Sequence, residues 1–186
     1  MEKVALNNVQ LDYLAKADPK LSQVFYGTVA CDHLPSLVNQ EGPTAYIVNT
    51  DPHDEPGKHW IALWTQDNVC EILDSYAMPL EVYKTTEPLT EWLNRHYKYQ
   101  VASRKTLQSV FSQSCGDYVL MFLVLKARGR SMQDFLSLFP GKDYVSNDRK
   151  VGRWLRRRIA DEVAWKSACD CQPQQTTYRF GIRHLL

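Results

Sequence analysis

"HWIALWTQDNVCEILDSY", residues 59–76, is the stretch that decides how this chain folds. Two strand-like runs, HWIALWT (59–65) and VCEILDSY (69–76), are separated only by Gln66, Asp67 and Asn68. Such runs around a short polar turn predict a β-hairpin. Both faces of HWIALW are apolar, which places this strand mid-sheet. In an antiparallel hairpin the start of one strand lies beside the end of the next, so His59 and Asp74 are expected as neighbours. A closing pair of Thr65 with Asn68 would set them directly opposite each other, and a bulge would shift that register.

Working outward, YIVNT (46–50) reads as a short buried strand followed by a turn-rich loop over 51–58. Residues 6–17 carry a helical period that Asp18-Pro19 stops. Residues 88–95 read as a helix and YKYQVAS (97–103) as a further strand. A polar loop, 104–114, leads into an apolar helix over 115–127, and SMQDFLSLF (131–139) forms another. A long amphipathic helix is expected from about Asn147 to Lys166, with Val151, Trp154, Leu155, Ile159 and Val163 on one stripe. The sum is a single α+β domain over 1–186, with a central, mostly antiparallel sheet flanked by helices.

A chain of 186 residues with 44% hydrophobic and 23% charged residues has the balance of one globular domain with one sizeable core. Its net charge of +1 gives no bulk attraction to polyanions. Charge is uneven, however: RKVGRWLRRR (149–158) is strongly basic and EGPTAYIVNTDPHDEP (41–56) is acidic. No run approaches the roughly 18 apolar residues of a membrane span. MEKVALNNVQLDY, at the N-terminus, lacks a signal-type apolar run, so no membrane partner and an intracellular location are expected. Five cysteines (31, 70, 115, 169 and 171) are read as reduced thiols.

Chemistry concentrates on FSQSCGDYVLMFLVLKA, residues 111–127. A helix N-terminus favours thiolate, which gives Cys115 a reason to stand there, with Ser114 as N-cap and Gly116 allowing close approach of a bound carbonyl. A buried structural thiol is the competing reading. His59, oriented by Asp74, would supply the base. Gln108 and Gln113 are the side-chain amides near enough in sequence to serve an oxyanion, and either could equally be a solvated loop residue.

GKHWIAL, then EILDSY, then LQSVFSQSCGDYVLMFL resemble, in that order, the adenovirus protease (adenain) family, relatives of the SUMO-deconjugating cysteine proteases. GTVACDHLPSLVNQEGPTAYIVNTDP is similar to the N-terminal half of the same family, so the resemblance covers about 11–127, with a helical region over about 128–186 beyond it. It implies an adenain-like, papain-like fold and a cysteine endopeptidase. In that enzyme Cys115 is the nucleophile, His59 the general base and acid, Asp74 the residue orienting His59, and Gln108 the oxyanion donor. Gln113 does not match the family spacing. Trp60 carries over as a wall of the substrate groove, beside Gly116.

The resemblance further implies a viral or virus-like-element maturation protease that cuts structural precursors at Gly-containing sites. Such an enzyme works as a monomer in the host nucleus and virion. No metal or other cofactor is required, although the family is activated by a short viral peptide, held partly by a disulfide, and by DNA. The peptide's anchor is missing here, because 97–107 contains no cysteine. Arg153, Arg156, Arg157 and Arg158 are the candidate DNA surface. Cys169, Cys171 and His184 are too few for a structural zinc site. A deconjugase cutting after a ubiquitin-like Gly-Gly terminus uses the same residues, and an inactive protease-fold scaffold is the non-enzymatic alternative.

Overall fold

The computed structural model describes residues 5–38 and 41–159. Helix α1 (Asn8–Ala17) leads through a 3-10 turn (Leu21–Gln23) into strands β1 (Phe25–Ala30) and β2 (Thr44–Asn49). The hairpin β3 (Trp60–Gln66) and β4 (Val69–Leu73) follows, then a second 3-10 turn (Leu80–Val82), α2 (Glu87–His96) and β5 (Tyr99–Ala102). Three helices complete the described chain: α3 (Cys115–Lys126), α4 (Met132–Ser137) and α5 (Tyr144–Arg158).

The α+β class and the flanking helices agree with the sequence reading, but the sheet is mixed rather than mostly antiparallel. Its order is β1-β2-β3-β4-β5. The central pairs β2–β3 and β3–β4 are antiparallel, and the outer pairs β1–β2 and β4–β5 are parallel. Between β4 and β5 the reason is α2, which carries the chain back to the end where β4 began, as a parallel crossover requires. Strand β1 had no clear sequence signal. Gly27 interrupts its apolar run, and its pairing with β2 shifts register between Phe25 and Gly27.

The sheet divides the core by simple alternation along its central strand. Trp60, Ala62 and Trp64 of β3 face a core built with α1, α3, α4 and α5. Ile61 and Leu63 face a smaller core closed by Leu89, Trp92 and Leu93 of α2. Helix α3 has no solvent-facing polar stripe and is buried from Cys115 through Val124, Asp117 included. A helix so enclosed is fixed along its whole length, since each fully buried large apolar side chain adds about 1.5–3 kcal/mol. Val151 and Leu155 pack α5 onto it, with Trp154 and Ile159 half-buried. Val163, Lys166, Cys169, Cys171 and His184 lie outside the described residues.

Among the described residues no helix is long and apolar enough to cross a membrane.

Candidate active site

His59 immediately precedes β3 and Asp74 immediately follows β4, so both stand where the hairpin opens. The closing pair is Gln66 with Val69, around a two-residue turn in which Asp67 has a φ of 53°. That register sits two residues from the Thr65–Asn68 expectation, and continued outward it sets His59 opposite Tyr76. A slip of two keeps side chains on the same face, so Asp74 remains a diagonal neighbour of His59. Their side chains meet, Nε2 of His59 lying 2.8 Å from Oδ1 of Asp74. Both are almost fully buried, at 5% and 3% exposure.

Asp74 is the hub of this corner. Oδ1 also accepts the Tyr76 amide at 2.8 Å, a turn in which an aspartate bonds its own backbone two residues on. Oδ2 accepts the Tyr83 hydroxyl at 2.5 Å and the Met78 amide at 3.3 Å. Burial pulls this carboxyl upward. The hydrogen bond and charge of His59, the Tyr83 hydroxyl and the Tyr76 amide overcome that pull and hold it below the usual carboxylate range. The imidazole behaves in the opposite sense. Burial alone would lower its pKa, but hydrogen bonds to Asp74 and to Cys115, with the charges of both, raise it to about 9. Because Asp74 takes Nε2, Nδ1 is the nitrogen left for the cysteine. The ring also stacks on Tyr76 (centroids 4.8 Å, 27°) and Tyr83 (5.6 Å, 16°), electron-rich faces that suit a cationic imidazolium.

Cys115 is the first residue of α3, 7% exposed. Ser114 occupies the cap position without a side-chain capping bond; its carbonyl accepts the amides of Asp117 and Tyr118 at 3.0 and 3.2 Å. The loop that delivers Cys115 is tied to the end of the hairpin. The amides of Leu107 and Gln108 both donate to the Ser75 carbonyl, at 2.8 and 3.1 Å, and the Thr106 hydroxyl donates to the Tyr76 carbonyl at 3.1 Å. Helix α5 braces it from behind, where Asn147 Nδ2 donates to the Leu107 carbonyl and Asp148 accepts the Ser109 amide. Gln108 is buried, with Oε1 accepting the Ser75 hydroxyl at 2.6 Å. That bond orients the amide so that Nε2 donates to the Tyr76 hydroxyl (3.1 Å) and the Ser112 carbonyl (2.8 Å), on the segment leading to Cys115. The structure thus brings His59, Asp74, Gln108 and Cys115 to one corner.

No family model matches the chain, and no curated protein does. Among solved structures, a crystal structure of the pS273R protease of ASFV is similar at a TM-score of 0.45 and 14% identity, over 77% of this chain and 64% of that one. A selenomethionine crystal structure of the same protease is similar at a TM-score of 0.36 and 19% identity, over 57% and 41%. The chain therefore spans less than two thirds of that protein.

The remaining expected site residues sit elsewhere or are otherwise engaged. Trp60, read as a groove wall, is 2% exposed and belongs to the core under α3; its Nε1 donates to the Leu6 carbonyl at 3.1 Å. Gly116, read as making room for a carbonyl, makes room for α1 and the residues leading into it. A Cβ placed there would lie 3.1 Å from Leu6 Cβ and 3.3 Å from Leu11 Cδ2. Gln113 is exposed. All four arginines are exposed, and Arg158 in addition pairs with the buried Asp18 and stacks on Trp154.

Cys31 and Cys70 are buried thiols, Cys31 pushed up to about 12 by burial and by Asp32 and Asp51, and Cys70 pushed up by burial. Tyr83, Ser75 and Tyr76 were not singled out from sequence. Ser75 and Tyr76 had a signal, since Asp74 begins a turn that includes them. Tyr83 lies nine residues beyond Asp74, and no spacing rule connects the two.

Proposed function

We propose that this chain is a cysteine endopeptidase. The observation that carries the proposal is His59, held through Nε2 by Asp74 and interacting with Cys115 at the head of α3. The imidazole takes the thiol proton, and the Cys115 sulfur attacks the scissile carbonyl carbon. The carbonyl π pair moves to oxygen, where the Cys115 amide receives it, a first-turn N–H without an intrahelical partner. Gln108 Nε2 joins that hole by giving up its bond to the Ser112 carbonyl. The imidazolium then protonates the leaving amine as the C–N bond breaks, and water activated by His59 releases the thioester.

On the sequence resemblance, the substrates are structural precursors of a virus or virus-like element, cut at Gly-containing sites, and the enzyme is a monomer of host nucleus and virion. Arg153, Arg156 and Arg157 form the surface through which DNA would activate it.

The test is a fluorogenic Gly-containing peptide set against a ubiquitin-like C-terminal amide, with the parent and Cys115→Ala. Turnover of the peptide and its loss in Cys115→Ala, with circular dichroism unchanged, is the expected result. Retained turnover in the variant refutes the assignment of Cys115, and cleavage of the ubiquitin-like amide alone identifies a deconjugase. Failure of a thiol-directed active-site probe to label Cys115, with neither substrate cut, identifies an inactive scaffold.

A further inference from the structure

We propose that Asp32, His33 and His53 form a binding site for one zinc-class divalent cation, which ties the turn after β1 to the loop that leads to His59. No local spacing joins the two histidines, which lie on separate loops. Strands β1 and β2 run parallel, so both loops leave the sheet at the same end. There the three side chains offer one ligand atom each, all within 4.8 Å of one another.

The arrangement is ordered rather than a chance approach of exposed groups. Asp32 Oδ1 accepts the His53 backbone amide at 3.0 Å and faces His33 Nδ1 at 3.1 Å. Its Oδ2 faces His53 Nδ1 at 2.7 Å. The two imidazoles meet edge to face, centroids 4.2 Å apart. The backbone beneath is also held, His33 N donating to the Ala30 carbonyl and Cys31 N to the Asp51 carbonyl.

Ligands about 2.0–2.1 Å from a tetrahedral centre stand about 3.3–3.4 Å apart, so the 2.7 and 3.1 Å spacings, which run to the two oxygens of Asp32, must open by a few tenths of an ångström, a shift that side-chain rotation supplies. Two imidazole nitrogens with one carboxylate oxygen suit zinc and its neighbours rather than calcium or magnesium. Each ring binds through the Nδ1 lone pair, its proton then residing on Nε2, and water completes the coordination. The acidic stretch around the site, with Asp54 acting on His53, adds favourable potential for a cation. Thr50 N donates to the His59 carbonyl at 3.0 Å, so a clamp on residues 51–53 acts on the loop between this contact and His59.

The experiment is calorimetric titration with ZnCl2 of the full chain carrying Cys115→Ser, Cys169→Ser and Cys171→Ser, which leaves only the buried thiols of Cys31 and Cys70, with Co2+ absorption as a second readout. One Zn2+ per chain is expected, with a Co2+ spectrum of nitrogen–oxygen type. Asp32→Asn, His33→Gln and His53→Gln should each weaken binding by about tenfold or more. Absence of binding in the titrated chain, or equal affinity in His53→Gln, overturns the proposal. Neither outcome bears on proteolysis, which is read by other residues and another assay.

Discussion

Replacing Asp74 by Asn tests the electrostatic core of the site at one atom. Asparagine keeps the shape and an acceptor for His59 Nε2 but removes the charge. In the parent the imidazole stands at about 9 against an ordinary value of 6.5, although burial pulls it the other way. That difference corresponds to about 3 kcal/mol in favour of the imidazolium. Without the carboxylate the imidazolium loses its nearest opposite charge, and an opposite charge at this distance accounts for about 1–3 pH units. The titration midpoint of His59 should therefore fall by that amount in Asp74→Asn.

The assay is an NMR titration of the imidazole Cε1–H signals, with His59 assigned by comparison with His59→Gln. A linked effect follows from the raised folded-state value. Protonated His59 stabilises the fold fully below pH 6.5, and its contribution is lost as pH rises through about 9, so unfolding free energy should decline over that window in the parent and less in the variant. A parent midpoint at or below 6.5, or the same midpoint in Asp74→Asn, refutes the reasoning.

Tyr83→Phe removes the hydroxyl that bonds Asp74 Oδ2 while keeping the ring that stacks on His59. A hydrogen bond to a charged group contributes about 1.5–3 kcal/mol, so both urea-unfolding stability and the His59 midpoint, measured by the same NMR titration, should shift; an unchanged midpoint would show that Tyr83 does not support Asp74. Gly116→Ala meets Leu6 and Leu11. Overpacking of this kind costs about 1–3 kcal/mol and helix propensity returns about 1, so urea unfolding should show a net loss of up to about 2 kcal/mol, and a gain would contradict the close approach. Asp18 is held down to about 2, against the pull of burial, by Arg128, the Leu21 and Lys20 amides and the charge of Arg158. Its stabilisation is present above the ordinary value of 3.8 and lost as pH falls towards about 2, so acid unfolding monitored by circular dichroism should lose that component in Asp18→Asn.

How much of this was legible in sequence depended on the range of the signal. The hairpin and α3 announced themselves by continuous apolar runs and by the polar residues between them, which are local properties. His59 and Asp74 were found together because a hairpin converts sequence distance into contact, and a two-residue error in register left them on one face. Strand β1 was missed because its partner, β2, is set by a parallel pairing with no local signature. The zinc-class cluster was missed for the same reason: Asp32–His33 and His53 become neighbours only once β1 and β2 lie side by side. Trp60 and Gly116 were assigned outward because sequence shows composition and not which side of a strand or helix a neighbour will cover.

The buried helix explains why the candidate corner can be precise in position and still sit at an edge. The body of α3 is enclosed on all sides, so its first residue cannot move without moving the core. On the other side of the corner, Asp74 and Ser75 lie just beyond β4, and the amides of Leu107 and Gln108 bond directly to the Ser75 carbonyl. Both halves are therefore referenced to one object, the end of the hairpin. Loosening the 104–114 loop should then disturb Gln108 before it disturbs the His59–Asp74 contact, because Gln108 depends on Ser75 through both its backbone and its side chain, while Asp74 holds His59 without using that loop.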